Sequence, residues 1–363
     1  MARKHNFYAG PAVLPVSVVK KAQESLFDYN NCGIGVAEMS HRSKEFDGII
    51  QGAVATAKRL YNIGDDYEII FVPGGASMVM AINAMAFVPE GGKAQIVDTG
   101  TWSRRAIGEV NRSKGTADVV WSGKDLNYAE LPDLNSLTFD KDAAFVHLTS
   151  NNTIAGTQFR EFPNTKAPLF VDMSSDFFSH PIDINQFGMI YGGIQKNLGP
   201  AGSAMVIIRK DLLSRIPAGL SEMLDYNVYV KKGSMYNTPV AFTIYMTSLV
   251  LEWLEKDIGG MENMHKINLE KAGILYDCFD KSGGFYKPAV TKAADRSLMN
   301  VTFRLANTDL EPKLIADATA AGFIGLKGQR SVGGLRASIY NSCPTEAVRE
   351  LVNYLNDFAA KNG

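Results

Sequence analysis

Residues Phe187 to Gly202 read FGMIYGGIQKNLGPAG. An apolar run ends on a single lysine, Lys196, and the chain then turns through Gly199 and Pro200. Apolar runs of this kind are core strands of a sheet covered on both faces. Lysine is rarely buried, so an ammonium at the closed end of a core strand demands a reason. Glycine and proline behind it pin the turn.

Working outward, YEIIFV, AQIVDTG, DVVWS, AAFVHLT, PLFVDMS and SAMVIIR have the same short, β-rich character as MIYGGI. They alternate with helical stretches between about residues 60 and 210, which predicts an α/β fold built on a mostly parallel seven-stranded sheet. Val16 to Tyr29 and Glu45 to Tyr61 read as helices before the first strand, and Val240 to Lys256 as a helix after the last. Gly259-Gly260 is the candidate hinge. Beyond it, MNVTFRL and GLRASIYN read as strands, and EPKLIADATAAG and TEAVRELVNYLNDFAAK as helices. The expected division is a large α/β domain, 16–258, and a smaller α+β domain, 259–363, joined by the N-terminal arm 1–15.

The chain has 363 residues, 46% hydrophobic, with a formal net charge of -1. That balance carries no nucleic-acid footprint. No segment is apolar over the length a bilayer requires, and MARKHNFYAGP lacks the apolar core of a secretion signal. The 3 cysteines, Cys32, Cys278 and Cys343, are too few and scattered for a disulfide framework. The 5 histidines show no HExxH spacing, so no metal is expected. A cytoplasmic setting follows from this usage.

Ligands of open α/β sheets bind beyond the carboxyl ends of the strands. After YEIIFV comes PGGASM, whose amides suit a phosphate at a helix start, though such a turn is more often a plain connection. It is neither a P-loop nor GxGxxG. After AQIVDTG stands Trp102, a flat face for a planar ring or simply core filling. Ser150 to Thr153 form a polar cluster after AAFVHLT, which in isolation reads more readily as a turn. Asp172 ends PLFV, where an unpaired carboxylate is costly. Asp172 and Lys196 could be a buried ion pair. Alternatively, both could meet pyridoxal phosphate, a carboxylate at its ring nitrogen and a desolvated lysine at its aldehyde. Gly192 and Gly193 would leave room beside such a ring, or mark a bulge.

On NFYAGPAVLP, EMSHRSKEF, FVPGGAS, TGTWS, TSNNTIAGT, VDMSSDFFS, GGIQKNLGPAG, SMYNTP and GQRSVGGLRASIYN, the whole chain resembles the phosphoserine aminotransferase family, class-V, fold-type I pyridoxal-phosphate enzymes. The resemblance implies transfer of an amino group between L-glutamate and 3-phosphohydroxypyruvate, in serine biosynthesis. Some members of the family also act on 4-phosphohydroxy-L-threonine in pyridoxal phosphate synthesis. It implies Lys196 as the cofactor's covalent lysine, Asp172 at the pyridine nitrogen and Trp102 on the ring. Thr153 and Gln195 would bond the phenolic oxygen or phosphate, and the Ala76 and Ser77 amides would hold the phosphate. Asn237 and Thr238 would reach it from the neighbouring subunit of a homodimer with shared sites. Arg336 would clamp the substrate α-carboxylate. Gln329 and Arg330, with His41 and Arg42 of the other subunit, would face the substrate phosphate.

Two positions depart from the family pattern. Val79 stands where a polar residue is usual, and Gln329 where histidine is frequent. The alternatives are another fold-type I aminotransferase or lyase acting on a different acidic substrate, or a non-catalytic protein that keeps the fold. Cys343 invites comparison with cysteine desulfurases, but Ser342 and Pro344 beside it read as a turn.

Overall fold

The structure, a computed structural model of the full chain, describes residues 3–329 and 333–363. The chain opens with β1 (His5–Asn6), α1 (Val16–Phe27) and α2 (Lys44–Leu60). Local sequence specifies α2. The Ser43 hydroxyl accepts from the Phe46 amide at 3.2 Å, Glu45 and Asp47 occupy the first turn, and Lys58 and Arg59 the last. Each complements the free groups and dipole of its helix end. Phe46, Ile49, Ile50, Ala53 and Ala57 form the buried stripe that packs along α7 (Ala241–Lys256).

Between these helices run β2 (Tyr67–Pro73), α3 (Gly75–Phe87), β3 (Lys93–Asp98), α4 (Thr101–Arg112), β4 (Thr116–Ser122), β5 (Val146–Thr149), β6 (Leu169–Asp172), β7 (Met189–Gly193) and β8 (Ser203–Arg209), then the short α5 (Lys210–Leu213) and α6 (Tyr226–Lys231). They build one seven-stranded sheet in the order β2-β8-β7-β6-β5-β3-β4. Five of its strands pair in parallel, whereas β8 runs antiparallel to both neighbours. The link from β7 to β8 is too short for a parallel crossover. Period-two alternation sends Ile69 and Phe71 of β2 into the core on one face, and Ile70 and Val72 into the core on the other. The α/β architecture with a mostly parallel seven-stranded sheet is therefore as the sequence predicts.

Gly259 and Gly260, with φ of +83° and +98°, turn the chain from α7 into α8 (Met261–Asp280). There follow β9 (Tyr286–Pro288), β10 (Asn300–Leu305), α9 (Glu311–Ala320), β11 (Phe323–Ile324), β12 (Leu335–Ser338) and α10 (Thr345–Asn362). β12, β10 and β9 form an antiparallel sheet, and β1 pairs with β11. A separate buried cluster joins Phe7 to residues of α8, β10 and α10, with Ala12 and Val13 against it. We propose the division at 258/259, with the arm in the second unit, on the strength of this cluster.

The parallel strands all end at one edge of the large sheet, where β2 ends and β8 begins. The residues singled out after each strand are thereby gathered on that edge.

Candidate active site

A cavity of about 430 Å³ opens at this edge, with Gly74, Ser77, Trp102, Asp172, Gln195 and Lys196 among its lining residues. Ala76 also lines it. Its floor is the turn from β2 into α3. Gly74 and Gly75 adopt φ of +85° and +69°, which favours glycine. The amides of Gly75, Ala76 and Ser77 open the helix and so lack acceptors within it. Val79, apolar where the family pattern is polar, is fully buried in the core beneath.

Trp102 is fixed by the network at the start of α4. Ser103 Oγ accepts from the Thr99 and Gly100 amides at 2.9 Å each and donates to Asp98 Oδ1 at 2.9 Å. The indole Nε1 of Trp102 is buried and has no partner among the described residues. Asn152 donates its amide group to the Thr99 carbonyl, tying the polar cluster after β5 to the same loop.

Asp172 closes β6. Its Oδ1 accepts from the Ser174 amide at 2.9 Å and the Ser174 hydroxyl at 2.5 Å, and no such bond falls on Oδ2 among the described residues. Burial raises its pKa, while the Lys196 charge and the Ser174 bonds oppose the rise. Lys196 is buried, and burial pushes its amine down to about 8. The Asp172 charge resists that fall and Arg336 adds to it. Nζ donates to Thr153 Oγ1 at 2.7 Å and lies 5.4 Å from the Trp102 ring centroid. Asp172 and Lys196 make no ion pair, so the purely structural alternative for these two residues is not what the fold adopts.

Arg336, on β12, donates Nη1 to the Thr153 carbonyl at 3.0 Å, and its Nε is buried without a partner among the described residues. Burial lowers its pKa. One threonine thus links the lysine to the arginine. The arm completes the wall. The Ala12 amide donates to the Gln195 carbonyl at 3.0 Å, and Gly10 and Pro11 line the cavity.

Of the other expected residues, Thr153 and Arg336 reach the site through Lys196 without lining the cavity, and His41, Arg42, Asn237, Thr238 and Gln329 do not line it within one chain. Arg42 and Thr238 are exposed, and His41 and Asn237 are half-buried. The His41 Nε2 is enclosed without a partner among the described residues. Gln329 accepts at its carbonyl from the Gly333 amide at 2.8 Å. Arg330 lies outside the described residues. Gly192 does not make room for a ligand, because a Cβ there would come within 2.5 Å of the Phe177 ring. The Cys343 thiol is buried and pushed up to about 11, which leaves it protonated and a poor nucleophile.

Sequence reasoning missed three residues here. Ser174 anchors Asp172 and also accepts from the Gly193 amide at 2.9 Å. Asp176 is fully buried, accepts from Ser150 Oγ at 2.5 Å and Gln158 Nε2 at 3.1 Å, and is pushed up to about 7, chiefly by burial. Its charge in a run of apolar and small residues was the available signal. Arg105 lines the cavity from α4, and no local pattern distinguished it from solvated charge.

The profile described as Aminotransferase class-V matches residues 4–351. The chain belongs to the class-V aminotransferase family. This class-V aminotransferase is 50% identical over 358 residues to the phosphoserine aminotransferase of Geobacillus kaustophilus, covering 99% of both chains. The solved phosphoserine aminotransferase of Bacillus circulans subsp. alkalophilus superposes with a TM-score of 0.97 at 45% identity, covering 99% of each chain. That of Trichomonas vaginalis, described as PLP-bound, gives 0.88 at 35% identity, covering 97% of this chain and 99% of that one.

Proposed function

We propose that this class-V aminotransferase is a phosphoserine aminotransferase. It moves the amino group between L-glutamate and 3-phosphohydroxypyruvate, giving O-phospho-L-serine and 2-oxoglutarate, with pyridoxal 5'-phosphate as cofactor. The observation that carries the reading is Lys196, a buried amine lowered to about 8, in one cavity with Asp172 and Trp102.

The residues suit that cofactor. The cavity volume falls in the range of small-molecule sites. The Oδ2 of Asp172, which has no hydrogen bond among the described residues, can accept from a protonated ring nitrogen, and a charge-assisted bond there is strong in a water-poor site. Trp102 offers its ring beside Lys196. The α3 amides suit a phosphate.

Bound there, pyridoxal phosphate supplies a carbon that exchanges the amino group and a ring that accommodates the electron pair left at the substrate Cα. Lys196 does the proton work. An amine near 8 is partly unprotonated at neutral pH, so Nζ could take a proton from the substrate Cα and deliver it to that cofactor carbon. Thr153 holds Nζ without neutralising it. Arg336 presents a planar fork to the substrate α-carboxylate.

The proposal extends to the assembly. Asn237 and Thr238 lie off the cavity within one chain, and we assign them, with His41 and Arg42, to the site of a partner in a homodimer. Apolar exposure supports self-association, since Phe27 is 91% exposed and Leu26, Ile34 and Val16 are exposed with it. Arg330 and Gln329 are assigned to the substrate phosphate. A cytoplasmic setting is kept on composition.

The test is product formation from glutamate with 3-phosphohydroxypyruvate against unphosphorylated keto acids. Preference for the phosphorylated acid is expected. Equal or better turnover of another acidic keto acid would favour the alternative aminotransferase.

A further inference from the structure

Two cationic side chains line the cavity, Lys196 and Arg105, and only the first has a task so far. Arg105 lies in the second turn of α4, yet its guanidinium reaches α3. Its Nη1 donates to Ser77 Oγ at 2.5 Å, and its Cζ lies 5.5 Å from the Trp102 ring centroid. It forms no ion pair with a carboxylate among the described residues, unlike Arg112 on the same helix, which pairs with Glu109 at 3.1 Å. An unpaired guanidinium is thus held against the helix start that also exposes the Gly75, Ala76 and Ser77 amides.

Charge balance gives this placement a purpose. A phosphate monoester carries about -1.5 to -2 at neutral pH. A helix N-terminus offers roughly half a positive charge. Lys196 cannot make up the difference, because its lowered amine faces Thr153 and Trp102. Asn237 and Thr238, assigned above to the partner, are uncharged.

We propose that Arg105 is the cationic residue that binds the cofactor phosphate, with the Ser77 hydroxyl holding its guanidinium over the first turn of α3. This rests on the pyridoxal phosphate reading. Its planar fork can grip two phosphate oxygens while the α3 amides hold the rest. Selectivity for the phosphorylated cofactor then comes from α4, a different element from the glycine turn.

The experiment compares dissociation of pyridoxal 5'-phosphate and of unphosphorylated pyridoxal from the full-length protein, followed by visible absorbance, for the parent, Arg105→Gln and Arg105→Lys. Loss of one charged contact should weaken pyridoxal 5'-phosphate by about tenfold or more in Arg105→Gln. Pyridoxal should be nearly unaffected, and Arg105→Lys should fall between parent and glutamine variant. Inorganic phosphate should compete with the cofactor in the parent and less so in Arg105→Gln. Equal losses for both vitamers, or no loss for either, would overturn the assignment. A parent that captures neither vitamer would instead sink the cofactor reading, and this proposal with it.

Discussion

The Lys196 amine is held by the neutral Thr153 hydroxyl at 2.7 Å and not by the Asp172 carboxylate. A carboxylate partner would hold the charged form and keep the amine out of proton transfer. Asp172 is left to its own donors, the amide and hydroxyl of Ser174. Two ionisable groups on neighbouring strands thus stay separately available.

Lys196→Ala should lower turnover by about a thousandfold or more, the usual scale for an acid–base group. It should not destabilise the cofactor-free protein. With the amine lowered from 10.5 to about 8, the unfolded chain holds more protons than the native one between those values, so native stability rises with pH across that window. Lys271 carries a similar shift. The readout is therefore the difference between parent and variant in denaturant midpoint from pH 7 to 10.5. A variant with the parent's slope would mean that Lys196 does not titrate there.

Asp176 gives the opposite slope at lower pH. Its carboxyl is raised from 3.8 to about 7, so the native state holds the extra proton and stability falls as pH climbs through that interval. Asp176→Asn copies the protonated shape and can still bond Ser150 and Gln158. It should flatten the slope and stabilise the protein by about 1–3 kcal/mol at pH 8. Urea titrations at pH 5 and pH 8 test this, and a variant less stable than the parent at both would refute it.

The two arginines proposed for substrate should separate by chemistry. Arg336→Ala should cut kcat/KM by about tenfold or more for every keto acid, since each presents an α-carboxylate. Arg330→Ala should harm 3-phosphohydroxypyruvate far more than hydroxypyruvate. The ratio of kcat/KM for these two acids is decisive, and an unchanged ratio in Arg330→Ala removes that residue from phosphate recognition.

Shared sites can be tested by mixing. Lys196→Ala protein combined with Asn237→Ala, Thr238→Ala protein gives heterodimers with one site intact on both counts. After random exchange, recovery to about a quarter of parental activity is expected. Heterodimers confirmed by mass without recovery would argue for self-contained sites.

Much of this was legible because the chemistry sits where strands stop. Asp172 and Lys196 interrupt apolar runs, so burial and charge conflict within a few residues. Arg105 offers no such conflict, and only the fold brings it to Ser77. The longest helix, α8, was not singled out because polar Asn268 and Lys271 break its apolar stripe. Both are buried and bonded to groups distant in sequence, Asn268 through its Nδ2 to the Ser179 carbonyl and Asn341 Oδ1 at 3.1 and 3.0 Å, and Lys271 to the carbonyls of Ile339 and Tyr340 at 3.0 and 2.7 Å. β1 and β11, two residues each, exist only through each other. Gly192 misled because its neighbour is the Phe177 ring, which no local reading places there.

The place of β8 in the sheet governs when this protein can mature. β2 ends at Pro73, and its sole sheet partner among the described residues begins at Ser203. On the ribosome, an apolar strand and the glycine turn behind it emerge long before anything can hold them. Unpaired strands of that kind are aggregation-prone and suited to chaperone protection. A chain halted before Ser203 would carry most of the cofactor-facing residues in its sequence and yet have no cradle.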